Sequence, residues 1–316
     1  MSRASFYLLL AILGLPATGL AARKKPDPKP PMHALAAEIS VLERFLLSEA
    51  EFSNPKNEKV ISASVESMRR HVAPLDDKKG PFGEDPALRA NAAQLGRHLG
   101  DAARSFRSGD KNFARYMLQS SLSMCIACHT AGKVQWDFHL PEGKAASAPP
   151  LERANFLFAT RQFEKGKDLY DKLIEDYPGN KAERTDVQKA LNALAIYYVR
   201  VKEDPSAGAS YFSDIAKESW ASETDRQEFR AWAEYLKAWS KESAPALKGE
   251  GAVLAEAHRV LGADDLSAIG KGTGDEYVRR LRASALLHKV LETPGPASAE
   301  KGEALYLLGQ VYQRLN

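Results

Sequence analysis

The chain has 316 residues, of which 44% are apolar and 27% charged, with a formal net charge of +3. That length favours two domains with sizeable cores. A near-neutral balance, with both signs mixed along the chain, excludes a basic footprint for nucleic acid and reads as solvated helix faces.

Met1-Ser2-Arg3, an apolar run from Phe6 to Leu15 and small residues ending at Ala22 read as a secretory signal peptide over 1–22. The run is shorter than the ~20 residues of a membrane span, and Pro16 ends it. No cysteine closes the signal, so a bacterial lipid anchor there is excluded. No later apolar stretch is long enough to cross a bilayer, so the mature chain is expected to have no transmembrane segment. Residues 23–31 alternate proline with lysine and aspartate and read as an extended tether.

From Met32 the pattern turns helical, with Leu35, Ile39, Leu42 and Leu46 recurring at threes and fours until Asn54-Pro55. A second helix is expected from Glu58 to His71 on Val60, Ile61, Val65 and Met68, stopped by Ala73-Pro74. A third runs from Pro86 to about Phe106 through Ala92, Leu95, Leu99 and Ala103. A fourth follows Ser108-Gly109-Asp110 and carries Phe113, Met117, Ser121, Met124 and Cys128 on one stripe.

That fourth helix ends in Cys125-Ile126-Ala127-Cys128-His129, which holds the chain's only two cysteines. The pattern is that of covalent c-type haem attachment. Two thiols add to the two vinyl groups of one porphyrin, and the next imidazole must reach the iron. On a helix Cys125, Cys128 and His129 stand at i, i+3 and i+4, so all three leave from one side. The direct reading is one haem c, with thioethers at Cys125 and Cys128 and His129 as proximal iron ligand. A redox dithiol would expect a strand before the motif, and a zinc site would need a fourth ligand.

Four amphipathic helices with this motif at the end of the last resemble the class II c-type cytochromes, the cytochrome c-prime family. The resemblance covers roughly Pro31 to Lys133 and implies an antiparallel four-helix bundle over 32–136. It also implies haem attachment outside the cytoplasm, which agrees with the signal peptide and a periplasmic location. In such a bundle the starts of helices one and three and the end of helix two lie beside the motif. Met32, His33, Met68 and His71 are therefore the candidates for the sixth iron position. Arg69, Arg70 and Arg115 are candidates for pairing with haem propionates, while His98 sits too deep along its helix to reach iron.

Residues 137–150, rich in proline, glycine, alanine and serine, read as a domain linker. From 151 to 316 helical hairpins recur. Gly166, Tyr170, Leu173 and Pro178, then Leu191, Leu194, Ala195 and Tyr198 with Ala207 and Tyr211, and finally Leu305, Leu308, Gly309 and Tyr312 resemble positions of tetratricopeptide repeats. The resemblance implies an α-solenoid that presents a concave surface to a protein. The stretches Arg230 to Tyr235 and Tyr277 to Leu291 read as helical but fit the repeat poorly.

The expected fold is therefore all-α, a four-helix haem unit followed by a solenoid. The expected function is one-electron transfer by an exported monohaem cytochrome whose repeats dock a redox or assembly partner. A sensor of a small gas such as nitric oxide or carbon monoxide, or an envelope scaffold with structural haem, are the alternatives. No serine elbow, phosphate-binding glycine loop or zinc helix is present, so an electron carrier or binding protein is expected rather than a turnover catalyst. A peroxidase would need a distal acid-base residue, for which His71 is the one candidate.

Overall fold

The computed structural model describes residues 27–46, 48–83, 85–130, 149–179, 182–242, 248–262, 274–293 and 295–315. The signal peptide and nearly all of the 137–150 linker lie outside these residues. Among the described residues the protein is all-α, with thirteen α-helices, two 3-10 turns and one π turn. None of these helices is long and apolar enough to cross a membrane.

The N-terminal helices are α1 (Lys29–Leu46), α2 (Glu49–Ser53), α3 (Glu58–Asp76), α4 (Pro86–Arg107) and α5 (Lys111–His129). Local chemistry sets their ends. Asp85 caps α4, its Oδ1 accepting from the amides of Ala87 and Leu88 at 2.9 Å, and Pro86 takes the first helical position, where no amide is needed. Asp110 caps α5 through the Phe113 amide at 3.2 Å. α1 packs on α3, α3 on α4 and α4 on α5, around a core that includes Leu42, Phe45, Ile61, Met68, Leu99 and Phe106.

Several boundaries differ from expectation. α1 starts at Lys29 rather than Met32, because Pro30 and Pro31 fall in its first turn, where a missing N–H costs nothing. α3 runs past His71 and through Pro74 to Asp76, the proline forfeiting only the one bond its amide would have made. The short helix α2 was not legible; Ser48 caps it and Phe52 drops into the core, edge-on to Phe106 at 5.2 Å. Val60 and Phe113, expected on inner faces, are 40% and 49% exposed. The inner stripes run instead through Ile61, Val65 and Met68, and through Ala114, Met117 and Leu118.

The C-terminal helices are α6 (Pro150–Ala159), α7 (Phe163–Asp176), α8 (Arg184–Ile196), α9 (Pro205–Ile215), α10 (Glu223–Ser240), α11 (Glu250–Leu261), α12 (Glu276–Glu292) and α13 (Ala299–Leu315). α6 pairs with α7, α9 with α10, and α12 with both α11 and α13. Gly166 is where α6 and α7 cross, for a Cβ there would stand 2.4 Å from the Phe158 ring. The small residue at the next crossing is Gly208, not the expected Ala207: its added Cβ would meet Tyr198 at 3.0 Å. In α13 the repeat-like register does not hold. Leu305 and Gly309 face out, and Ala304, Leu307, Leu308 and Val311 face in.

The seam between the two sets of helices lies at the motif. α6 packs on α5, and α12 reaches α4. Phe156 of α6 is buried in the N-terminal core, Ile126 of α5 packs on the core of α6–α10, and Ala87 of α4 joins the core of α11–α13.

Candidate functional site

At the last turns of α5, Met124, Cys125, Cys128 and His129 line one shared cavity. α1 contributes Met32, Leu35, Ala36 and Ile39 to its walls, α3 contributes Leu75, and α4 contributes Asn91, Ala92 and Leu95. Phe82 and the end of α6, Ala159 and Thr160, complete it. The starts of α1 and α4 and the end of α3 thus meet the motif, as an antiparallel order requires. The lining is almost wholly apolar, as suits a flat hydrophobic macrocycle.

Both cysteines are free thiols. Burial pushes Cys125 up to about 12 and Cys128 up to about 11. They also sit at a helix C-terminus, where the macrodipole disfavours a thiolate. A redox dithiol needs a lowered thiol; the Arg161 guanidinium pulls Cys128 down, but burial outweighs it. Among the described residues no group of three or more His, Cys, Asp or Glu is arranged to hold a bare metal ion.

The His129 imidazole is held by the backbone. Its Nδ1 lies 2.5 Å from the carbonyl oxygen of Ala159. A carbonyl only accepts, so the proton is on Nδ1 and the lone pair on Nε2. Burial, and then the Arg161 guanidinium, push the imidazole down to about 4, so it stays neutral over the physiological range. Iron-bound histidines generally have such a partner on the second nitrogen, which fixes the ring's orientation. The two thiols, the neutral imidazole and the apolar cavity together fit a covalently held haem.

Of the four candidates for the sixth position, only Met32 lines this cavity. Met68 is 2% exposed within the N-terminal core, because the inner stripe of α3 carries it there. His33 is exposed, one position round the helix from Met32. His71 lines a separate surface groove with Pro30, Pro31 and Pro74. His98 bonds to the Met117 carbonyl at 2.6 Å and the Ser120 hydroxyl at 3.0 Å, away from the site.

None of the expected propionate partners reaches the cavity. Arg69 pairs with Glu66 at 2.8 Å, Arg115 donates to the Leu46 carbonyl at 2.8 Å, and Arg70 is exposed. The guanidinium beside Cys128 and His129 is Arg161, 8% exposed, with the buried Asp85 carboxylate also near Cys128. Met124 and Asn91 were missed as well. Met124 could have been found, since it precedes Cys125 on the stripe that carries Cys128.

A second cavity lies along another side of α5 and is lined by Glu43, Glu152, Tyr116 and Ile126 among others. Burial raises Glu43 to about 7, partly offset by Arg153. The native state therefore holds this proton more tightly than the unfolded chain does. Its contribution is present below the ordinary value of 4.5 and is lost as pH rises toward about 7. Glu43→Gln is expected to raise stability by about 1–3 kcal/mol at pH 8 and hardly at all at pH 4. Denaturant titration at the two pH values measures this; equal effects at both would count against it.

Comparison with protein-family models, with curated proteins and with solved structures finds no match for this chain.

Proposed function

We propose that the protein is an exported c-type cytochrome that carries one haem and passes single electrons, its C-terminal helices docking a protein partner. In this reading α1 and α3–α5 are the haem-binding bundle, and the hairpins from α6 onward are a tetratricopeptide-like solenoid. The observation that carries it is the convergence of Cys125, Cys128 and His129 on one apolar cavity, with the His129 Nδ1–H engaged by Ala159. Each thiol would add across a vinyl double bond, sulfur to one carbon and hydrogen to the other, with no net oxidation. His129 would supply Nε2 to the iron, and Leu35, Ile39 and Leu95 would exclude water. The haem would supply a reversible one-electron couple whose potential the axial ligands and burial tune.

Met32 is the proposed sixth ligand. An absorption spectrum of the matured protein, oxidised, reduced and under carbon monoxide, tests the whole assignment. Thioether-linked haem, low-spin and unmoved by carbon monoxide, is expected, with Met32→Ala turning the ferrous form high-spin and reactive to the gas. A colourless protein would end the reading. The apolar lining around Met32 also suits the alternative, a binder of a small diatomic gas, and wild-type protein that takes up carbon monoxide at once would favour it.

A further inference from the structure

The corner between α6 and α7 enters the site from the other half of the molecule. Ala159 ends α6 and offers its carbonyl to His129 at 2.5 Å, and Thr160 lines the cavity. Arg161 follows with φ 63°, 8% exposed. The residue after a helix often takes this left-handed conformation, but glycine is the usual occupant because a side chain there is strained. Helix-end stability alone does not favour a side chain at this φ, and backbone strain of this kind gathers at working sites.

Resting on the haem assignment above, we propose that this corner is part of the haem site: the Ala159 carbonyl is the positioning partner of the axial imidazole, and Arg161 sets the charge beside the prosthetic group. The C-terminal helices would thereby tune the iron as well as dock a partner. The two contributions have opposite signs. An acceptor on Nδ1–H makes the imidazole a stronger donor, which favours ferric iron and lowers the potential. A buried guanidinium opposes the extra positive charge of ferric iron and raises it.

Three full-length, haem-loaded variants separate them. Arg161→Gly keeps the corner, since glycine accepts this φ freely, and removes the charge; its midpoint potential should fall, while Arg161→Lys should stay near wild type. Gly166→Ala puts a methyl into the Phe158 ring and pushes α6 from α7, loosening the Ala159 contact; its potential should rise. Potentiometric titration followed in the visible spectrum reads both, with circular dichroism checking that the helices persist. Should Gly166→Ala fail to fold, Arg161→Gly still decides. Haem-loaded Arg161→Gly protein with the wild-type potential would overturn the inference while sparing the haem assignment. A wild-type chain that takes up no haem would overturn both.

Discussion

Cys125→Ser with Cys128→Ser is expected to give a helical but colourless protein, with covalent haem stain on a denaturing gel reduced by more than about tenfold. Covalent attachment needs sulfur nucleophiles, and this chain has no third cysteine to substitute. Serine is nearly isosteric, and both positions are only partly buried. The side chains that fill the N-terminal core belong to other residues, among them Leu42, Ile61, Met68 and Phe106. The helical fold should therefore survive, with the apoprotein's stability changed by about 1 kcal/mol or less. Each single variant should keep one thioether and so some stain. Equal staining of the double variant and wild type would refute the assignment of these sulfurs.

The largest expected loss of stability comes from Trp232→Ala, at about 3–5 kcal/mol. Trp232 is fully buried at the meeting of α9, α10 and α12. Its ring centroid lies 5.0 Å from Phe212, 5.6 Å from Phe229 and 5.2 Å from Tyr277, on which it stacks. Truncation would leave a void the size of an indole that three other aromatics cannot close without leaving their rotamers. Among the described residues the buried indole Nε1 has no hydrogen-bond partner. Trp232→Phe therefore gives up volume but no hydrogen bond, and about 1–2 kcal/mol is expected. Chemical denaturation followed by circular dichroism separates the two. A loss below 1 kcal/mol for the alanine variant would show that this stack does not hold the C-terminal helices together.

Where an element's signal was local, it could be read before folding. Pro86 and the Ser108-Gly109-Asp110 turn marked the starts of α4 and α5, and the caps found there, Asp85 and Asp110, act on amides within three residues of themselves. Prolines were harder. Pro30 and Pro31 lie in a first turn, where an amide has no partner to lose, and Pro74 forfeits a single bond near the end of α3, so a rule that treats proline as a stop misplaces both helix ends. Val60 and Phe113 were misassigned because a shift of one residue turns a side chain about 100° round a helix, and periodicity alone does not say where the neighbouring helix lies.

By itself the sequence determined the all-helical class and the chemistry of the motif: two sulfurs and an imidazole at i, i+3 and i+4 share a helix face whatever surrounds them. Only the tertiary structure decided what meets that face. It put Met32, and not His33, Met68 or His71, on the wall of that cavity, and brought Ala159 to His129 across 30 residues of chain. It placed Arg161, not Arg69, Arg70 or Arg115, near Cys128 and His129. The physical reason is that helix geometry is set by bonds between residues a turn apart, whereas a cavity is set by how separate helices cross. Those crossings depend on the fit of side chains such as Gly166 against Phe158, which no local pattern specifies.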